Sequence, residues 1–149
     1  MNILLVEDYE EKATDILNFV HKQYPQFNVE LCSSYNTAQE KIFEAEHPYD
    51  LILLDMSMTT YDLSSDASGG LPEPDAGQNI LEGMFLRSIP TPVIVVTMYN
   101  VFARQQLSEF HEHLLENYPQ NYHSYVFYSK QRSDWKDNLQ QQINEILHI

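Results

Sequence analysis

The chain has 149 residues, 43% of them hydrophobic, which suits one domain with a sizeable core. Eight basic residues against 22 acidic ones give a net charge of −14. That charge opposes contact with nucleic-acid backbones and anionic lipid, and disfavours a free anionic substrate unless a cation offsets the field. The single cysteine, Cys32, excludes an internal disulfide and reads as a small core side chain.

The apolar run Ile3–Val6 reads as a first strand. It is too short for a signal peptide or a membrane span, so the cytoplasm is the expected compartment. In Tyr9–Tyr24 the residues Ala13, Ile16, Leu17 and Val20 recur at helical spacing. Phe27–Cys32 alternates and reads as a weaker strand, and Asn36 is expected to cap a helix with Ala38, Ile42 and Ala45 on one side. Leu51–Leu54 has no polar alternation, as in a strand buried on both faces, yet it ends directly in Asp55. Residues 57–74, rich in Ser, Gly, Pro and Asp, read as a loop. A helix over Gly77–Ser88 carries Ile80, Leu81, Met84 and Phe85, and Val93–Val96 follows as a strand. Val101–Tyr118 shows Leu107, Phe110, Leu114 and Leu115 at helical spacing. The aromatic-rich Tyr125–Tyr128 reads as the last strand. Ser133 is a possible cap for a final helix whose stripe is Trp135, Leu139, Ile143 and Ile146.

The β-α order repeats five times, which predicts an α/β fold: a doubly wound, five-stranded parallel sheet with helices on both faces. Ligands of such sheets bind outside the carboxyl ends of the strands. There the sequence places Glu7 and Asp8 after the first strand, Asp55 after the third, Thr97 after the fourth and Lys130 after the fifth. Three converging carboxylates repel each other and call for a cation. With oxygen donors only, a hard ion such as Mg²⁺ fits. Thr97 can donate to a phosphoryl oxygen and Lys130 can neutralise one, so a phosphoryl group is the natural guest and Asp55 its candidate nucleophile. Each residue alone is unremarkable: Lys130 reads as a surface lysine, Thr97 as an ordinary strand residue, Glu7 and Asp8 as a solvated acidic pair at a helix start. Their joint placement carries the argument. The "HEH" at 111–113 presents its histidines to different helix faces and is not read as a metal site.

The segments "ILLVEDYE", "YDLILLDM", "PVIVVT" and "YVFYSK", each ending a strand, resemble in this order the receiver domain of two-component response regulators. The resemblance spans essentially all of 1–149 as a single domain. It implies the flavodoxin-like receiver fold with strand order 2-1-3-4-5. It makes Asp55 the phosphoacceptor, Asp8 a direct ligand of Mg²⁺, Glu7 its partner, and the backbone carbonyl of Ser57 the third protein ligand. Thr97 becomes the switch hydroxyl, Lys130 the phosphate-contacting lysine and Phe127 the switch aromatic. "PDAGQNIL" resembles the family's Asp-Gly segment before the third helix.

Four departures stand out, one of them a Thr97–Lys130 segment longer than usual. An insertion at about 57–74 separates the acceptor from the Asp-Gly segment. Met98 follows Thr97 where the family prefers a small residue, and Gln131 follows Lys130 where it usually has proline. Only 19 residues follow Lys130, so the resemblance implies a stand-alone receiver. Its partners would be a histidine kinase or phosphotransfer protein and a downstream protein met through the helix 4–strand 5–helix 5 face. A homodimer is a further option, with Tyr99, Phe102, Tyr118 and Tyr122 as candidate surface aromatics; nucleic acid and membrane are not expected partners. The protein is expected to be no enzyme beyond phosphoryl transfer to Asp55 and its hydrolysis. The competing reading is a pseudo-receiver, an unphosphorylated binding module. A Mg²⁺-dependent hydrolase of the haloacid-dehalogenase type would need a second Asp where Ser57 stands.

Overall fold

A computed structural model describes residues 1–56, 58–59, 72–73, 75–98 and 103–149. Its elements in chain order are β1 (Asn2–Val6), α1 (Glu10–Gln23), β2 (Asn28–Cys32), α2 (Tyr35–Phe43), β3 (Leu51–Leu54), β4 (Met58–Thr59), β5 (Pro72–Glu73), α3 (Ala76–Leu86), β6 (Val93–Thr97), α4 (Ala103–Asn117), β7 (Tyr122–Phe127) and α5 (Asp134–Leu147). The main sheet is parallel, in the order β2-β1-β3-β6-β7. With β4 and β5 set aside, this is the expected 2-1-3-4-5. Those two short strands form an antiparallel ribbon inside the 57–74 segment, which was read as loop throughout. The rest of that insertion lies outside the described residues, as does Ser57.

Apart from Asn2 and Thr97 at their ends, the three central strands β1, β3 and β6 are built from Ile, Leu and Val, and their apolar side chains alternate between two cores. Leu4, Val6, Ile52, Leu54, Val93 and Val95 pack with α2, α3 and α4. Ile3, Leu5, Leu51, Leu53, Ile94 and Val96 pack with α1 and α5. Covering both faces is what lets these strands dispense with polar residues. Cys32 is buried, as read from its neighbours.

Local chemistry explains several boundaries. The cap of α2 is Ser34 and not Asn36: the Ser34 hydroxyl accepts from the Thr37 amide at 3.3 Å. Asn36 lies inside the first turn, where its side chain cannot reach an orphan amide ahead of it. Ser133 does precede α5, without a side-chain cap bond. β7 begins at Tyr122, three residues before the aromatic run, and its pairing with β6 shifts register between Val93 and Ile94. Phe85 and Leu115, expected on buried stripes, are exposed. Conversely Tyr118 and Tyr122, expected as surface aromatics, are core residues at 7% and 3% exposure, while Tyr99 and Phe102 lie outside the described residues.

Candidate functional site

Parallel pairing fixes what meets at the carboxyl edge. Val6 pairs with Leu54, so Glu7-Asp8 and Asp55 emerge side by side, and the Asp55 amide donates to the Val6 carbonyl at 3.0 Å. Thr97 ends β6 opposite Phe127 on β7. Glu7, Asp8, Tyr9, Lys12, Asp55, Met56, Thr97 and Met98 line a cavity of about 210 Å³ at this edge. Carboxylate oxygens of Glu7, Asp8 and Asp55 all lie within 4.8 Å of one another, the one such acidic cluster among the described residues. Thr97 is buried at 3% exposure, and Met98, which also lines the cavity, is 47% exposed.

The electrostatics are dominated by burial. Desolvation raises the pKa of the Glu7 carboxyl, against the pull of the nearby Lys12 ammonium, and the Asp55 charge adds to the rise. Asp55 is raised for the same leading reason. Lys12 again lowers it, Asp8 raises it, and the Met56 amide, donating to Asp55 Oδ1 at 2.9 Å, lowers it. Helix α3 comes unusually close. The Gly77 amide donates to the Met56 carbonyl at 3.1 Å. A Cβ on Gly77 would lie 2.8 Å from the Asp55 carbonyl oxygen and 2.6 Å from the Met56 sulfur. Glycine in the Asp-Gly segment is thus what lets the third helix start against the acceptor strand.

Two lysines are placed differently from expectation. Lys130, past the end of β7, sends its ammonium to the Glu11 carboxylate on α1 and is half exposed. It lines a separate groove between α1 and the start of α5, together with Lys22, Arg132 and Lys136. Lys12, which the sequence reading passed over, is 1% exposed. Its Nζ lies 2.5 Å from Glu7 Oε2, 3.3 Å from Asp55 Oδ1 and 2.7 Å from the Val96 carbonyl. A signal existed: Lys12, Ile16, Phe19 and Val20 fall on one helical face, so a lysine interrupts an otherwise apolar stripe. His111 bonds Tyr122 at 2.6 Å and His113 contacts Asn117 at 3.1 Å, so the two histidines have separate partners.

Comparison with known proteins places this edge in context. No family model matches the chain. The Detocs response regulatory protein DtcB of Enterobacter cloacae is 30% identical over 151 residues, covering 98% of this chain and 100% of that one. The chain belongs to the response regulators. An uncharacterized protein, y4jR, of Sinorhizobium fredii is 25% identical, covering 91% of this chain and 92% of its own. Among solved structures, a response regulator receiver domain from Clostridium thermocellum superposes with a TM-score of 0.66 at 16% identity, covering 99% of this chain and 94% of that one. A two-component response regulator from Clostridium difficile gives 0.61 at 19% identity, with 99% and 96% covered. The Mn²⁺-bound form of the response regulator Rcp1 gives 0.63 at 18%, with 96% and 91% covered. This response regulator therefore has the receiver fold, and receiver domains are generally signalling modules. Among the described residues no helix is long and apolar enough to cross a membrane.

Proposed function

We propose that this response regulator is a Mg²⁺-dependent phosphoacceptor, a switch or phosphorelay protein whose acceptor is Asp55. The observation that supports this most is the convergence of Glu7, Asp8 and Asp55, from two separate strand ends, on one small cavity that Thr97 also lines. Three oxygen donors with no nitrogen or sulfur suit a hard divalent ion, and the Mn²⁺-bound relative Rcp1 shares the fold. Glu7, Asp8 and Asp55 would hold Mg²⁺, which supplies charge neutralisation for the phosphoryl oxygens.

The residues of the chain do the rest. An Asp55 carboxylate oxygen attacks phosphorus of a phosphohistidine or acyl phosphate. The bond from phosphorus to the donor breaks, and the donor leaves with the electron pair. The Met56 amide already donates to Asp55 Oδ1 and fixes the carboxylate's orientation. Thr97 would donate its hydroxyl to a phosphoryl oxygen, and Phe127, its neighbour across the β6–β7 pair, would follow. The readout would then be a changed α4–β7–α5 face offered to a downstream protein, with a histidine kinase or phosphotransfer protein upstream.

Acetyl phosphate with Mg²⁺ is expected to add one phosphoryl group to the intact protein by mass, and none to Asp55→Asn. No addition, together with failure to bind beryllofluoride, would leave the pseudo-receiver reading in its place.

A further inference from the structure

We propose that Lys12 is a built-in counter-cation of the acceptor site, holding Glu7 and Asp55 together at rest and competing with divalent metal for the same carboxylates. This rests on the reading above that the acidic cluster is a Mg²⁺ site.

The ammonium has three protons, and three acceptors surround it: Glu7 Oε2, Asp55 Oδ1 and the Val96 carbonyl. Its hydrogen-bonding capacity is filled. A lysine is almost never fully buried without such partners, and a position on the opposite face of α1 would have left it in water. The side chain instead lies in the core-facing stripe beside Ile16 and Phe19 and delivers its charge to the strand edge. Lys130 lines the α1–α5 groove and not this cavity.

The consequence for metal follows from charge. Two of the three acids that would hold Mg²⁺, Glu7 and Asp55, are the acids that Lys12 contacts. A divalent ion entering among them meets a unit positive charge a few ångströms away, in surroundings where screening by water is weak. Lys12 holds one oxygen of Glu7 and one of Asp55, and a metal that draws on those same oxygens requires the ammonium to withdraw. The unbranched four-carbon stem of lysine permits this by rotation. The adjoining 210 Å³ cavity, which Lys12 itself lines, gives it space. Lys12 is thus a positioning residue that sets the threshold for metal binding.

The test is calorimetric titration of the whole chain with magnesium chloride. Lys12→Met and Lys12→Gln are each expected to bind Mg²⁺ at least tenfold tighter than the wild type. Their melting temperatures should also respond more strongly to Mg²⁺. Unchanged, weaker or undetectable binding in folded variants overturns the proposal. Should both variants fail to fold, amine acylation of the wild type decides, read by peptide mass with the more exposed Lys41 as internal standard. Lys12 is expected to be protected without Mg²⁺ and acylated at saturating Mg²⁺; continued protection in the Mg²⁺-saturated protein overturns the proposal. Phosphoryl gain from acetyl phosphate is measured alongside. Tighter Mg²⁺ binding in the variants without phosphoryl gain would sink the acceptor reading and leave the Lys12 role standing. Phosphoryl gain with unchanged Mg²⁺ affinity would do the reverse.

Discussion

At Gly77 a single missing methyl group determines how the acceptor strand and the third helix meet. Gly77→Ala would put a Cβ within 2.8 Å of the Asp55 carbonyl oxygen and of Met56 Cα, which are backbone atoms that cannot rotate away. We expect a loss of about 1–3 kcal/mol, measured by urea unfolding, and slower phosphoryl uptake because the strain falls on the acceptor itself. Met98 is the other residue with a local consequence. It lines the cavity beside Thr97 and is half exposed, a bulky group where attacking water would approach. Met98→Ala is expected to shorten the phosphoaspartate lifetime several-fold, and an unchanged decay of the phosphoprotein mass would refute it. Site residues that directly follow apolar runs were legible: Asp55 after Leu51–Leu54, Glu7 and Asp8 after Ile3–Val6, Thr97 after Val93–Val96. A polar group at such a boundary advertises its place on the sheet edge. Lys12 was legible only as a lysine in an apolar stripe, because where its ammonium goes depends on a side chain reaching from a helix to another element. Residue order points to Lys130, whose side chain lines the α1–α5 groove.

Helices and strands were legible to the extent that their pattern was long. The central strands matched their apolar runs within a residue because both faces must be filled. Where two chemically suitable residues lie close together, as Ser34 and Asn36 do, composition cannot choose between them; the geometry of the first turn does. Ser34→Ala should cost about 1 kcal/mol, since its hydroxyl satisfies the Thr37 amide and also contacts the Thr37 hydroxyl at 3.0 Å. Asn36→Ala should cost much less, and the pair can be ranked by thermal melts. The start of β7 was missed because "NYHS" lacks an apolar run. Its burial comes from specific bonds, with the Asn121 amide side chain clamping the carbonyls of Ile89 and Thr91 at 2.7 and 3.0 Å.

For the whole molecule, a net charge of −14 over one small domain means that folding gathers mutually repelling groups. Stability should therefore rise with ionic strength. We expect the melting temperature to increase by a few degrees between low salt and about 0.5 M sodium chloride, where the Debye length has shrunk below the usual spacing of surface charges. A flat or falling response would show that the described ion pairs outweigh the general repulsion. The charge was fully legible in the sequence. Its organisation was not: four of the eight basic residues, Lys22, Lys130, Arg132 and Lys136, gather around the α1–α5 groove.

The sheet divides the interior into two cores that meet no helix in common. Val93 and Val95 face the α2–α3–α4 side, and by alternation Thr97 and Phe127 continue that side at the edge. Lys12, Trp135 and Tyr128 belong to the other layer, where Tyr128 packs on Trp135 at 5.1 Å and bonds Asp15. A surface made of α4, β7 and α5 therefore takes one helix from each layer and straddles the seam between the two cores. A visitor seated there would register any slip of one layer against the other.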